Sequence, residues 1–249
     1  MAPPPLVELR SVHKSFDRNE VLRGVSLALA KGTTLAVMGG SGAGKTVLLR
    51  ITAGLVPPDA GEVALFGTRI ERMREEAMLA LRRRTGFVFQ GAALFDSLSV
   101  FENVAYPLRE HTRLAAGEIT DRVHRFLSLV GLPGTDDLQP AELSGGMRKR
   151  VGIARALVME PEVVFFDEPT AGLDPTNARL VAELIAELRT GVCDTAIVVT
   201  HDIEFADMIA DQMAILHQGR FADTGTPAEI HRSGSPDVQK FLAGELRAS

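Results

Sequence analysis

Gly39-Gly40-Ser41-Gly42-Ala43-Gly44-Lys45-Thr46 is the stretch around which this chain is organised. It fits the pattern G-x-x-x-x-G-K-[ST], which is typical of loops that bind the phosphates of a nucleotide. Glycine permits the positive φ angles with which backbone N–H groups surround a polyphosphate. In such a loop Lys45 reaches the β- and γ-phosphates, and the Thr46 hydroxyl ligates Mg²⁺.

The sequence on either side of the loop supports this interpretation. Residues 33–38 are apolar enough for a short buried strand that enters the loop. Residues from Val47 to Ala53 have the pattern of a helix that leaves it, and Gly54 is expected to cap that helix. The helix would point its N-terminus at the phosphates, where its dipole favours an anion.

Length and composition limit the class of protein. A chain of 249 residues with 45% hydrophobic residues forms one large α/β domain or a core with an inserted subdomain. A net charge of −5 gives no basic signature for nucleic acid. The single Cys193 suits a reducing compartment and is expected to be a small apolar filler.

Neither a secretory signal nor a membrane span is predicted. The first residues lack the basic and apolar segments of a signal peptide. No apolar run approaches the roughly 18 residues that a membrane span needs. We therefore expect a soluble intracellular chain that reaches a membrane only through a partner.

The first third of the chain contains further predicted strands. Residues 6–9 and 25–29 are expected to pair as antiparallel strands, with Phe16 between them. Composition leaves two interpretations of Phe16 open, an aromatic ring that stacks on adenine and a core residue at a strand end. Residues 62–67 predict another strand, and residues 70–84 a charged helix whose basic end is a solvated face.

A strand over residues 85–90 ends in the polar amide of Gln90. Ligands of α/β proteins bind at the carboxyl ends of strands, so Gln90 is a candidate to coordinate Mg²⁺ or a water. Residues 91–142 then change in character and predict a mostly helical insertion, with a clear helix at 118–130.

Ser144-Gly145-Gly146 opens a predicted helix that runs to about Met159. Ser144 suits an N-cap. Three cations, at residues 148–150, crowd the first turn, where the helix dipole disfavours positive charge. This arrangement suggests an anion that is delivered from outside, although an ordinary capped helix with solvated cations fits the sequence equally well.

Two acids end the apolar strand at residues 163–169. Buried carboxylates are costly unless they are paired or bound to metal, so Asp167 is a candidate to hold Mg²⁺. Glu168 is placed to polarise a water for attack on the γ-phosphate. Asp174 lies in the turn that follows, before a predicted helix at 176–189. His201 ends another apolar strand and is a candidate γ-phosphate contact.

The order of these motifs resembles the nucleotide-binding subunit of ABC transporters over nearly the whole chain. The resemblance implies a P-loop NTPase of the α/β class, with a RecA-like core, an antiparallel β subdomain and an inserted helical subdomain. Within a single domain of residues 1–249, the core with the β subdomain would span residues 1–90 and 143–232, the helical subdomain residues 91–142, and a C-terminal tail residues 233–249. The motifs that match are the loop at 39–46, Gln90, Leu143-Ser144-Gly145-Gly146, Phe166-Asp167-Glu168-Pro169, Leu173-Asp174 and His201.

The resemblance also implies a mechanism. Two copies would bury two ATP molecules between them, and Ser144, Gly145 and Gly146 of one copy would cap the γ-phosphate held by the other. Asp174 would lie at the dimer seam, and Phe16 would stack on adenine. The implied ATP contacts are Phe16 and residues 39–47, which end at Val47. The implied catalytic residues are Glu168, His201 and Gln90, and the implied ligands of Mg²⁺ are Thr46, Gln90 and Asp167.

A narrower resemblance is carried by Met147, which stands where most members of the family have glutamine. Together with residues 89–95, 100–110 and 236–242 it looks like the Mla/Mce branch, whose ATPases drive phospholipid movement between bacterial membranes. The resemblance implies an integral permease, an Mce-domain protein and a small cytoplasmic STAS-type subunit as partners (MlaE-, MlaD- and MlaB-like). It implies a position on the cytoplasmic face of the inner membrane, bound to the permease that the helical subdomain receives.

Other functions stay open at this point. One is an ABC importer ATPase for a different solute, because the permease selects the cargo. Another is a soluble ABC ATPase that acts on nucleic acid or ribosomes, which the acidic composition disfavours. A stripe of Val238, Phe241, Leu242 and Leu246 predicts that the tail is helical and packs on a neighbouring subunit.

Overall fold

The computed structural model describes residues 4–245. Its strands are β1 (Val7–Phe16), β2 (Asn19–Leu29), β3 (Thr34–Met38), β4 (Ala60–Leu65), β5 (Thr68–Arg69), β6 (Thr85–Val88), β7 (Val163–Asp167), β8 (Ala196–Thr200), β9 (Gln212–His217) and β10 (Arg220–Gly225). Its helices are α1 (Lys45–Thr52), α2 (Glu75–Arg82), α3 (Val100–His111), α4 (Ala116–Leu129), α5 (Gly145–Leu157), α6 (Pro175–Gly191), α7 (Ile203–Ile209), α8 (Pro227–His231) and α9 (Pro236–Leu242). Strands and helices alternate along much of the chain, as the α/β prediction requires.

The chain forms two compact units. The first contains residues 4–82 and 194–245, and the second contains residues 83–193. Within residues 4–245, none of the helices has the length and apolarity of a membrane span.

The first unit contains an antiparallel sheet in the order β2-β1-β4-β5. Val7 pairs with Leu29 on one side and with Leu65 on the other. The predicted antiparallel pair is confirmed, but both strands are longer than the apolar stretches indicated. The extra residues, such as Arg10, Ser11 and Arg23, are polar, because only one face of an antiparallel sheet needs to be buried.

The first unit also contains a group of largely parallel strands. β3 pairs in parallel with β8 and with β9, and β10 adds antiparallel to β9. Every residue of β3 and β8 is buried. A strand that is covered on both faces is apolar over most of its length, which explains why the sequence predicts these two strands.

The C-terminal helices α8 and α9 cover the same group of strands. Val238 and Phe241 are buried in a cluster with Met38, Ile215 and Ile230, and Leu242 packs against that cluster. The predicted helical stripe is therefore real, but these residues pack on their own unit, so the prediction that they pack on a neighbouring subunit is wrong. The fourth residue of the stripe, Leu246, lies outside the described residues.

The second unit contains the parallel pair β6 and β7, with Val88 opposite Phe166. Helix α3 packs against α4 and α5. Asn103 of α3 is fully buried, and its amide pairs with both backbone groups of Phe95 and with the carbonyls of Leu98 and Ser99. This one side chain fixes the segment that leads into α3.

The charged segment at 70–84 is less helical than predicted, since only Glu75–Arg82 is an α-helix. Residues 70–74 turn instead, because the N–H of Ile70 donates to the carbonyl of Val63 at 2.8 Å and holds the segment to β4. The predicted solvated face is seen at Arg83, which is exposed, while Arg84 pairs with Glu162 at 2.5 Å.

Candidate functional site

The loop between β3 and α1 requires glycine at both of its ends. A Cβ at Gly39 would lie 2.2 Å from the carbonyl oxygen of Leu216. Gly44, which caps α1, has a φ of 100°, and a Cβ there would lie 2.9 Å from Cγ1 of Val21. The backbone therefore turns tightly into the helix with no side chain in the way, as a phosphate-binding loop requires.

Lys45 begins α1 and is 93% buried, with 7% of its surface exposed. Its ammonium group donates to the carbonyl oxygens of Gly39 at 2.8 Å and Gly40 at 3.1 Å. Thr46 follows it in the first turn. The ammonium and the helix N-terminus together concentrate positive charge at the loop, which suits the phosphates of a nucleotide.

His201 lies at the same sheet edge as the loop. Met38 and Thr200 are partners in the parallel pair of β3 and β8, so Gly39 and His201 are the next residues on neighbouring strands. His201 is exposed, and Asp202 after it caps α7. The glycine loop and the histidine thus both follow the carboxyl ends of neighbouring strands, as the sequence predicted.

Phe16 ends β1 with 47% of its surface exposed. The Lys14 ammonium lies 5.3 Å from the centre of the Phe16 ring. The structure excludes the core interpretation of this residue. Because the ring faces solvent, its stacking on adenine stays a prediction.

The second unit brings the two acids and the glutamine to one sheet edge. Asp167 is the last residue of β7 and is 1% exposed, and Glu168 after it is 8% exposed. Gln90 follows the neighbouring strand β6 and is exposed. Glu168 has a φ of 47°, which non-glycine residues seldom adopt.

The start of α5 is joined to Asp174 through one asparagine. A Cβ at Gly146 would lie 2.6 Å from Oδ1 of Asn177, so only glycine allows α5 and α6 to approach this closely. Asn177 donates through Nδ2 to Asp174 at 2.6 Å and through its backbone N–H at 3.1 Å. These hydrogen bonds lower the pKa of Asp174. Ser144 caps α5 by accepting from the N–H of Met147 at 3.2 Å.

The three cations of α5 contact backbone carbonyls of the second unit. Arg148 donates to Leu143 at 2.7 Å, and Arg150 donates to Val130 and Gly131, each at 3.1 Å. Lys149 donates to the carbonyls of Gln90 and Glu168. These carbonyls give the three cations partners within the unit, so their side chains do not by themselves indicate an anion, and the anion at Ser144–Gly146 stays a prediction.

Lys149 and Arg155 are the residues at this site that sequence reasoning missed. Lys149 is 6% exposed, and burial lowers its pKa, while the charges of Glu168 and Asp167 act in the opposite direction. Burial also lowers the pKa of Arg155, which donates to the carbonyl of Ala92 at 2.9 Å. A signal existed: Lys149 shares the helical face of Gly146 and Ile153, which a solvated lysine would not.

The predicted ligands of Mg²⁺ have suitable chemistry. They are a hydroxyl (Thr46), an amide (Gln90) and a carboxylate (Asp167), and oxygen donors are what this hard cation prefers. No group of three or more histidine, cysteine or acidic side chains within residues 4–245 is arranged to hold a metal.

A family model described as ABC transporter matches residues 22–171, which include the glycine loop, the start of α5 and both acids. The chain belongs to the ABC transporter family. It is accordingly an ATP-binding ATPase of the α/β class, as the order of its motifs predicted.

Curated relatives of this ABC ATPase cover nearly its whole length. It is 39% identical to "Intermembrane phospholipid transport system ATP-binding protein MlaF" of Escherichia coli, over 96% of this chain and 89% of that protein. It is 41% identical to "Protein TRIGALACTOSYLDIACYLGLYCEROL 3, chloroplastic" of Arabidopsis thaliana, over 97% of this chain and 74% of that protein. It is 37% identical to "Probable ribonucleotide transport ATP-binding protein mkl" of Mycobacterium bovis, over 96% of this chain and 66% of that protein.

Solved structures include a dimer of the ATP-binding cassette MJ0796 in a post-hydrolysis state, bound to ADP and Pi. It superposes on this ABC ATPase with a TM-score of 0.81 and 30% identity, over 89% of this chain and 98% of that one. The likeness confirms the predicted fold over most of the chain.

Proposed function

We propose that this chain hydrolyses MgATP to drive phospholipid movement between bacterial membranes. The main evidence that the cargo is phospholipid is the 39% identity to MlaF over nearly the full length of both chains. Met147, which interrupts the usual signature, points to the same branch.

The proposed chemistry uses residues of the predicted motifs. Lys45 and the N-terminus of α1 bind the β- and γ-phosphates, and the exposed ring of Phe16 stacks on adenine. Glu168 accepts a proton from the attacking water, and His201 and Gln90 contact the γ-phosphate and that water. Positioning and electrostatic stabilisation supply most of the catalysis, as in phosphoryl transfer generally.

Magnesium would be held by Thr46, Gln90 and Asp167. When bound, the ion would neutralise negative charge that develops on the phosphates during hydrolysis. Asp167 suits this role because it ends β7 with a carboxylate, an oxygen donor of the kind that Mg²⁺ prefers.

The proposed active form is a homodimer. Ser144, Gly145 and Gly146 of one subunit cap the γ-phosphate bound to the partner, and Asp174 lies at the seam. Two features support this. Ser144 and Asp174 are both exposed, and Asn177 links the turn that carries Asp174 to the start of α5.

The proposed partners are an integral membrane permease, an Mce-domain protein and a STAS-type cytoplasmic subunit. The ATPase would bind the permease at the cytoplasmic face of the inner membrane. A helical subdomain at residues 91–142, which contains α3 and α4, would receive the permease.

A second cargo class has a specific observation in its favour. The mycobacterial relative is named for ribonucleotide transport, and its identity of 37% is close to that of MlaF. A permease for a polar solute would use the same hydrolysis chemistry, because the permease selects the cargo.

Affinity purification of the tagged chain from its native membranes separates these functions. Mass spectrometry of proteins and lipids is expected to detect a permease, an Mce-domain protein and bound phospholipid. Recovery of a permease with a solute-binding protein would contradict the lipid cargo but keep the ATPase. Recovery of nucleic acid or ribosomes without a membrane protein would contradict the transport function.

A further inference from the structure

Lys149 is a buried cation that contacts two of the predicted motifs. Its ammonium group donates to the carbonyl oxygen of Gln90 and to that of Glu168, the latter at 3.2 Å. Only 6% of the residue is exposed. Burying an ammonium is costly unless hydrogen bonds and opposite charges compensate it. The two carbonyls and the nearby carboxylates of Asp167 and Glu168 provide that compensation.

The Glu168 carbonyl belongs to a residue with an unusual backbone conformation, and the Gln90 carbonyl lies two residues before the first of two others. Glu168 has a φ of 47°, and Ala92 and Ala93, just after Gln90, have φ values of 62° and 49°. Non-glycine residues hold such angles only where their surroundings fix them. The Lys149 ammonium supplies one fixed point that both segments share.

Helix α5 holds the segment after Gln90 at two more places. Gly152 lies against Ala92 so closely that a Cβ on it would be 3.2 Å from the Ala92 Cβ. Arg155 donates to the Ala92 carbonyl at 2.9 Å and lies 5.5 Å from the centre of the Phe95 ring. Lys149, Gly152 and Arg155 thus form a face of α5 that follows the segment from Gln90 to Phe95.

We propose that Lys149 is a positioning residue, which sets the backbone of Glu168 and of Gln90 together from the helix that begins at Ser144. This inference rests on the proposed roles of Glu168 and Gln90 in hydrolysis. Lys149 acts through carbonyl oxygens and does not touch the nucleotide. A shift of α5 would therefore move Gln90 and Glu168 together with the start of the helix.

The alternative is that Lys149 only stabilises the fold. Arg150 provides a matched control, because it is the next residue of α5, is partly buried and also donates to two backbone carbonyls. Its carbonyls belong to Val130 and Gly131, which carry none of the predicted motifs. A purely structural role predicts similar consequences for the two substitutions.

The test compares Lys149→Met, Lys149→Arg and Arg150→Met in the full chain, purified with its native membrane partners. Steady-state hydrolysis gives kcat and KM for MgATP, and thermal melting reports the folded fraction. We expect Lys149→Met to lower kcat about 10- to 100-fold with KM within about threefold, since small displacements of catalytic groups cost about this much. Lys149→Arg keeps a cationic donor and should recover most of kcat, and Arg150→Met should change kcat less than about twofold.

Hydrogen exchange of the nucleotide-free chain adds a second measurement, which also applies if hydrolysis cannot be compared. The amides of Ala92 and Ala171, which bond to the carbonyls of Phe89 and Glu168, should exchange faster in Lys149→Met than in Arg150→Met. Equal exchange in the two variants, or a kcat of Lys149→Met within twofold of wild type, would overturn the positioning role. Failure of the proposed function looks different: wild type would not hydrolyse ATP, or Glu168→Gln would hydrolyse it at the wild-type rate.

Discussion

Glu168 is the residue on which the proposed hydrolysis depends most. It follows Asp167 at the end of a fully buried strand, in a backbone conformation that Lys149 helps to hold. A carboxylate in this setting has little freedom to move, which suits a group that must meet one water in one orientation.

Glu168→Gln should lower kcat for ATP by on the order of 100-fold or more, because an amide cannot accept the proton of the attacking water. Binding of ATP should stay near the wild-type level, since the proposed phosphate contacts are the loop and Lys45, which this substitution leaves unchanged. Turnover under saturating MgATP and equilibrium binding of ATP measure the two effects. Wild-type turnover in this variant would remove Glu168 from the mechanism.

Lys45→Ala should weaken ATP binding about 10- to 100-fold, since a charge-assisted hydrogen bond to phosphate contributes about 1.5–3 kcal/mol. Titration of a fluorescent ATP analogue measures the loss. Thr46→Ser is the matched control, because it keeps a hydroxyl in the first turn of α1 and should bind ATP normally. Undiminished binding by Lys45→Ala would refute the assignment of the phosphate loop.

Asp59 offers a prediction about acid stability. Hydrogen bonds from the Lys14 ammonium and the Ser15 N–H, each at 2.7 Å, lower the pKa of Asp59 below its ordinary value of 3.8. A lowered pKa in the folded state means that the stabilisation is present above pH 3.8 and is lost as the pH falls through the native pKa. Asp59→Asn should therefore have a lower Tm than wild type at pH 7, and the difference should shrink below pH 3.8. A difference in Tm that does not depend on pH would contradict this account.

At the level of elements, the predictable parts are those whose own residues carry the signal. β3, β7 and β8 are apolar along most of their length because they are buried on both faces, and this pattern predicts them from sequence. The glycine loop was equally predictable from sequence, since close contacts within the first unit require both of its terminal glycines. In these elements, the local sequence and the position in the fold require the same residue types.

Elements whose role depends on distant partners were less predictable. The stripe on α9 indicated a buried face but not which surface buries it, and the answer is the cluster around Met38 and Ile215. Lys149 was one of three cations in sequence, and its carbonyl partners at Gln90 and Glu168 come from other parts of the chain. Such partners become visible only once the chain is folded.

Helix α3 carries a prediction about stability. Asn103 is fully buried and bonds to backbone groups of Phe95, Leu98 and Ser99. Asn103→Ala leaves these buried groups without their partner, which should lower the free energy of unfolding by about 2–4 kcal/mol. Urea unfolding measures the change, and Ser99→Ala should cost less, about 1 kcal/mol, as the loss of an N-cap. A larger cost for Ser99→Ala than for Asn103→Ala would contradict this ranking.

At the level of the whole molecule, the proposed function requires two copies. Glu168→Gln with ATP should form a stable dimer, because nucleotide is bound but not consumed. Light scattering with and without ATP measures the change in mass. Adding Ser144→Arg to Glu168→Gln should abolish the dimer while ATP binding persists, since the new side chain fills the exposed start of α5. A dimer that forms without ATP, or that tolerates this second change, would contradict the sandwich arrangement.

The most direct test of the account is phospholipid movement in proteoliposomes that contain the purified complex of this chain with its native membrane partners. Labelled phospholipid transfer would be followed with wild type and with Glu168→Gln, each with and without MgATP. We predict transfer that depends on ATP with wild type, and only background transfer with the variant although it binds ATP. Equal transfer by both proteins, or ATP-dependent movement of a polar solute in place of lipid, would contradict the claim that hydrolysis at Glu168 drives phospholipid transport.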